Sequence, residues 1–151
     1  MTIGTNALIE FFGTQDTLGT SSSAVVNDAF SVAGDLSTWT NTDDVPRASV
    51  TLSATFSSAP TEGAALNLFL RLLDVESTND QEIPDANYGH VYAGSFPVND
   101  VTSEQYQAID ISLPNGSTSQ QYEFYLENKA GQTMSAGWDI YVTPKTYGPA
   151  A

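Results

Sequence analysis

Few side chains in this sequence can carry out acid–base or nucleophilic chemistry. His90 is the only histidine, and the chain has no cysteine. A thiolate zinc site and a cysteine nucleophile are therefore excluded, and a serine triad would need His90 without any GxSxG motif to hold its serine. None of the eighteen acids lies in a recognisable catalytic motif. The sequence predicts a protein that is not an enzyme and needs no organic cofactor.

The densest group of oxygen ligands lies at positions 74–87. Five acids and several amides fall within this segment. Ca²⁺ takes six to eight oxygen ligands of this kind, although the glycine and glutamate positions of an EF-hand loop are missing. The segment is either a solvated acidic loop or a Ca²⁺ site, whose ligands would be Asp74, Glu76, Asp80, Glu82 and Asp85.

Aromatic side chains offer a second kind of binding site. Tyrosine and tryptophan rings can form a platform for sugars, but in alternating strands they more often pack in the core or pair across strands. The candidates for such a platform are Trp39, Tyr88, Tyr92, Tyr125 and Tyr141.

The charge of the chain restricts its partners. Eighteen acids outnumber four bases (Arg47, Arg71, Lys129 and Lys145), for a net charge of −14. Nucleic acids and anionic membranes attract proteins through lysine and arginine, so we expect neither as a partner. The amino-terminal segment lacks the basic region of a secretory signal, so we expect no cleaved leader.

Alternation between apolar and hydroxyl-bearing residues dominates the elements that must position these side chains. It has a period of two at residues 46–56, 90–98, 122–126 and 138–142, which predicts strands with one dry face and one wet face. Residues 65–73 are apolar on both faces except for Asn67 and Arg71 and predict a central strand, with a helical turn as the alternative. Only residues 101–108 are expected to hold a helical turn elsewhere.

These strands and the turns between them predict an all-β protein that folds as a single-domain antiparallel β-sandwich or jelly roll. We expect one domain over residues 1–151, with a short amino-terminal segment (1–6) and an extended carboxy-terminal arm (144–151). The arm carries Pro144 and Pro149, which remove backbone donors. The predicted core comprises Val50, Leu52, Phe56, Leu66, Leu68, Leu70, Phe124, Leu126, Trp138 and Ile140.

Residues 5–16, 78–98 and 119–151 resemble small virion-associated proteins of tailed bacteriophages. The resemblance implies a structural component of the particle of the capsid decoration (cement) type, with the major capsid protein as partner. We expect a homo-oligomer, with a trimer favoured. The acidic charge favours the outer capsid surface over the wall that faces packaged DNA. The alternatives are a tail or connector component and a carbohydrate-binding or receptor-binding β-sandwich module.

Both ends of the chain are candidates for assembly contacts. In the carboxy-terminal arm we expect Pro144, Tyr147 and Pro149 to make them, because a proline-stiffened segment loses little entropy on docking. Residues 7–12 are apolar apart from Glu10 and could pair at a sheet edge, either within the same chain or with a neighbour.

Overall fold

The structure is a computed structural model that describes residues 8–76, 78–89 and 91–149. Within these ranges there is no helix, and so none that is long and apolar enough to cross a membrane. The strands are β1 (Leu8–Phe12), β2 (Asp16–Thr20), β3 (Trp39–Thr40), β4 (Arg47–Ala54), β5 (Ala65–Leu72), β6 (Val91–Pro97), β7 (Gln105–Ser112), β8 (Gln121–Lys129) and β9 (Asp139–Pro149).

The chain folds back on itself around its middle, so that early strands pair with late ones. β2 pairs with β9, β3 with β8, β4 with β7 and β5 with β6, all antiparallel. This long hairpin is rolled into two sheets, β1–β9–β4–β7 with β2 also on β9, and β3–β8–β5–β6. That arrangement is a jelly roll, so the predicted all-β antiparallel fold is confirmed.

The core lies between the two sheets and is formed by the dry faces of the alternating strands. All ten predicted core residues are buried. Strand β5 lies inside its sheet between β8 and β6, as expected for a segment that is apolar on both faces. Its leucines face the other sheet, and Phe69 is buried on the opposite side against Phe30.

The alternation predicted for residues 90–98 is broken by a β-bulge. Leu68 pairs with Gly94 and Phe69 with Tyr92, so Ala93 is an extra residue in β6. A bulge reverses the face to which the following side chains point. Phe96 is therefore buried, whereas Tyr92 lies on the outer face beside Phe69, and the prediction that the two share a face was wrong. His90 lies outside the described residues.

Residues 144–149 are not a separate arm, contrary to prediction, because β9 continues through them. Lys145 pairs with Phe12 on one side and with Arg47 on the other. An N–H at position 144 would point to the side of β9 where β1 has already ended and β2 has not yet begun. Pro144 is therefore tolerated there. Its carbonyl accepts a hydrogen bond from Gly13 there. The predicted amino-terminal segment (1–6) lies outside the described residues.

The strand pairing also bears on two further predictions, a sheet-edge strand near the amino terminus and a helical turn within residues 101–108. β1 pairs with β9 of the same chain, which confirms the prediction that this apolar segment lies at a sheet edge. Residues 105–108, expected in a helical turn, instead begin β7, which pairs with β4 over its full length.

We predict that deleting residues 146–151 lowers the melting temperature, because the deletion removes the partners of Leu8–Phe11 in β9. The measurement is thermal unfolding followed by circular dichroism. Deletion of residues 150–151 alone is the control and should leave the melting temperature unchanged, since these residues follow β9 in the sequence. An unaltered melting temperature in the longer deletion would show that the end of β9 is dispensable for the fold.

Candidate functional site

The acids predicted to bind Ca²⁺ are not brought together. Asp80 accepts the backbone N–H of Asp74 at 3.0 Å and pairs with Arg71 at 3.5 Å, and Asp85 accepts two backbone N–H groups of its own turn. In the described part of the chain no three His, Asp or Glu side chains converge on a point that could hold a metal ion. The structure thus does not form the site predicted from Asp74, Glu76, Asp80, Glu82 and Asp85.

The five aromatic candidates also separate. Trp39 and Tyr125 are buried, and Trp39 packs against Tyr122 while its indole N–H donates to Asp16 at 2.8 Å. Burial and a hydrogen bond to Glu123 raise the pKa of Tyr125 to about 12. Tyr141 is half-buried in β9. Only Tyr88 and Tyr92 present much of their rings to solvent.

The most distinctive surface lies where β9 extends beyond β4. The pairing of β9 with β4 ends at Lys145 and Arg47, whereas its pairing with β1 continues to Pro149. β4 stops there because the side chain of Asn41 bonds both the N–H and the carbonyl of Val45, at 3.1 and 2.8 Å. We call β1 and residues 145–149 of β9 the ribbon.

The ribbon carries large apolar side chains in contact with solvent. The exposed fraction is 71% for Leu8, 62% for Phe12 and 50% for Tyr147, and Phe11 is also exposed. Several such residues in one place on a small domain indicate a surface for a partner.

The outer edge of β1 also offers backbone groups that have no strand partner among the described residues. Gly13 N–H bonds to the carbonyl of Pro144, and successive residues of a strand point their polar groups to opposite edges. The N–H and carbonyl groups of Leu8, Glu10 and Phe12 therefore point away from β9. Among the described strands none pairs with this edge. An additional strand can bind there through main-chain hydrogen bonds.

Four charged side chains from four strands lie on the outer face of the sheet at the base of the ribbon. Lys145 is 3% exposed and lies 3.2 Å from Glu10 and 2.7 Å from Asp110. Arg47 lies 3.9 and 3.7 Å from the same two carboxylates. We call these four residues the ion cluster; it ties β1, β9, β4 and β7 together.

Hydrogen bonds within the ion cluster shift the pKa values of Asp110 and Lys145, and its two cations contact neighbouring aromatic rings. The hydrogen bond from Lys145 holds the pKa of Asp110 below its usual value. Burial alone would lower the pKa of Lys145, but its hydrogen bonds to Asp110 and Glu10 outweigh burial and raise it. Arg47 lies 5.5 Å from the ring centroid of Tyr147 and donates to its hydroxyl, and Lys145 lies 5.7 Å from that of Phe12.

The predicted assembly residues lie in or beside the ribbon. Tyr147 is exposed on it, Pro149 is paired with Leu8 at its tip, and Pro144 lies under Gly13 at its base. Glu10 and Asp110 were not predicted as functional residues from the sequence, and Arg47 and Lys145 entered only the charge balance. The one available signal was that bases are so scarce in this chain.

No family model matches the chain, and no curated protein matches it. Similar solved structures include that of infectious bursal disease virus Gx strain, with 11% identity and a TM-score of 0.31, covering 97% of this chain and 37% of that chain. The Gt strain gives 13% identity and a TM-score of 0.31, covering 99% and 37%. The chain spans little more than a third of the length of these structures, and at this TM-score the likeness does not decide function.

We predict that Lys145→Met destabilises the fold at neutral pH by about 1–3 kcal/mol. This is less than the ~3–5 kcal/mol of breaking a fully buried pair, because Asp110 is half exposed. The lowered pKa of Asp110 contributes stability that is complete above its unfolded pKa of about 3.9 and is lost as pH falls through the lower folded pKa. The difference in stability between wild type and variant should therefore shrink below about pH 4.

Denaturant unfolding of both proteins at several pH values measures this difference. Lys129→Met is the matched control, since Lys129 also bonds two carboxylates but its side chain is 43% exposed, and we expect it to change stability much less. A wild-type advantage over Lys145→Met that stays constant down to pH 2.5 would mean that the ion cluster does not titrate as described.

Proposed function

We propose that this chain is a non-enzymatic structural protein of a bacteriophage virion. It acts as a decoration (cement) protein on the outer capsid surface, and its partner is the major capsid protein. The observation that carries the proposal is the ribbon, in which exposed apolar side chains lie beside a strand edge that no other described strand pairs with. The resemblance of residues 5–16, 78–98 and 119–151 to virion proteins of tailed phages supports the same function.

The ribbon is suited to firm attachment because it is already ordered. Its β1 strand is paired along its length with β9, and the ion cluster fixes Phe12 and Tyr147 from below. A rigid surface loses less conformational entropy on binding than a flexible tail, so more of the contact energy is retained as affinity. An extended segment of the capsid protein added to β1 would gain main-chain hydrogen bonds and cover Leu8 and Phe12.

The distribution of charge supports placement on the outside of the particle. Each of the four bases already pairs with a carboxylate: Arg47 and Lys145 in the ion cluster, Arg71 with Glu123 at 2.8 Å, and Lys129 with Glu127 at 3.0 Å. Protein affinity for DNA depends on bases that neutralise phosphates. A chain of net charge −14 whose bases are engaged by its own acids is therefore unsuited to the DNA-facing wall.

We predict that Leu8→Glu abolishes or strongly reduces binding to capsids, because it places a charge on the most exposed apolar side chain of the ribbon. The melting temperature of the free protein should stay within about 2 °C of wild type, as for other surface substitutions. Particles lacking the protein are mixed with purified wild type or variant, and occupancy is measured after sedimentation. Val32→Glu is the matched control, since Val32 is 58% exposed outside the ribbon.

Normal occupancy by Leu8→Glu, or an equal loss with Val32→Glu, would contradict attachment through the ribbon. Failure of the wild-type protein to bind particles at all would contradict the decoration function itself. Sedimentation of the free protein measures its oligomeric state, for which a trimer is expected.

A further inference from the structure

Two grooves adjoin on the underside of the ribbon, which we define as the face opposite the ion cluster. Phe11 points to this side because it alternates with Glu10 along β1. The first groove, which we call the apolar groove, has a volume of about 270 Å³ and walls that include Phe11, Val45 and Pro144. The second has a volume of about 190 Å³. Asp43 and Pro144 line both grooves, so one ligand can occupy the two together.

The walls of the apolar groove are fixed by contacts within the chain. The ring of Phe11 lies on the backbone of Gly148, since a Cβ at that glycine would be 2.8 Å from Cε2 of the ring. Phe11 is nevertheless 49% exposed. Val45 and Pro144 are buried, and the side chain of Asn41 bonds both the N–H and the carbonyl of Val45. An apolar side chain can therefore be buried here without the cost of ordering the groove first.

The second groove, which we call the acidic groove, has two carboxylates and no base among its lining residues. Asp16 and Asp43 line it together with three threonines, Thr14, Thr40 and Thr42. The indole N–H of Trp39 donates to Oδ2 of Asp16 at 2.8 Å and fixes that carboxylate. All four bases of the chain pair with other carboxylates, and within the described residues neither Asp16 nor Asp43 has a cationic partner. The acidic groove is therefore complementary to a basic side chain.

We propose that the two grooves bind an extended segment of the capsid protein in which an apolar side chain and an arginine lie two positions apart. The inference rests on the proposed function for the identity of the partner. Alternate side chains of an extended segment are about 7 Å apart on one face, so adjoining grooves can take both. Arginine is preferred to lysine because its planar guanidinium can donate to two carboxylates and is less strongly hydrated. Bound in this way, the partner contacts the ribbon on both of its faces.

The test uses two blocked peptides as probes, Ser-Leu-Thr-Arg-Ser and Ser-Arg-Thr-Leu-Ser, because the grooves fit either direction of the segment. Each peptide is titrated into the full chain, and binding is followed by the NMR signal of the indole N–H of Trp39. We expect one peptide to bind with a dissociation constant of about 1 mM or below. The signal of Trp138 is the internal control, since this indole donates to the carbonyl of Ser23 and lines neither groove.

Changes in the peptide test the two grooves separately. Replacing its arginine by citrulline removes the charge but keeps the shape, and should weaken binding about tenfold. Replacing its leucine by serine should also weaken binding about tenfold, because the apolar contact is lost. In the protein, Asp43→Asn should weaken binding of the arginine peptide about three- to fivefold and leave binding of the citrulline peptide unchanged.

Asp100→Asn is the matched control. Asp100 is also an exposed acid, but it precedes β7 at the opposite end of β4 from Arg47. Its affinity for the peptides should equal that of wild type. The proposal is overturned if neither peptide shifts the Trp39 signal at about 10 mM, if the citrulline peptide binds as tightly, or if Asp43→Asn binds as wild type does.

The peptide results do not depend on particles, so they are distinct from the test of the proposed function. Failure of the wild-type chain to bind capsids contradicts the decoration function and leaves the peptide results in force. If the wild-type chain does bind capsids, Asp43→Lys should reduce occupancy about tenfold or more, because it reverses the charge that meets the arginine. Normal occupancy by Asp43→Lys would show that the segment does not come from the capsid protein.

Discussion

The pairing of β9 with both β1 and β4 is the contact on which the rest of the structure depends. β9 is the last strand in sequence, yet it lies inside its sheet and joins the first strands to the middle of the chain. Because Lys145 contacts carboxylates on β1 and β7 from this central position, one buried cation links three strands. β1 lies more than a hundred residues from β9 in sequence and β4 lies nearly as far, so the entropy of closing the chain must be offset by many contacts formed together.

The fold could be predicted where one face of a strand is dry and the other wet, as in β4 and β8. It could not be predicted where an inward position is polar. Gln105 of β7 faces inward and is buried, but its side chain bonds the backbone of Asn99 and Val101, so the apolar alternation is lost at the start of the strand. Pro144 led to the wrong prediction of a separate arm for a different reason. A proline is acceptable inside a strand where the neighbouring edge strand is interrupted.

The functional surfaces were less accessible to sequence reasoning because they are defined by pairing between distant strands. Five acids close in sequence predicted a cation site, but composition does not reveal that Arg71 and backbone N–H groups already engage Asp80 and Asp85. The ion cluster draws single residues from four strands, and no local pattern marks it. Likewise the outward turn of Tyr92 depends on the register between β5 and β6, which alternation within β6 alone cannot specify.

The edge of β1, which no other described strand pairs with, is selective in the partners it can take. If two copies paired antiparallel through β1 about its centre, Glu10 of one would lie directly opposite Glu10 of the other, and like charges in that position destabilise a strand pair. Pro149, paired with Leu8, lacks a donor on the opposite edge of the ribbon, beyond the end of the β4 pairing, and proline limits pairing at such an edge. A two-fold β1–β1 dimer is thus disfavoured. The geometry instead favours a different partner strand, or a cyclic oligomer in which β1 contacts another surface of the next copy.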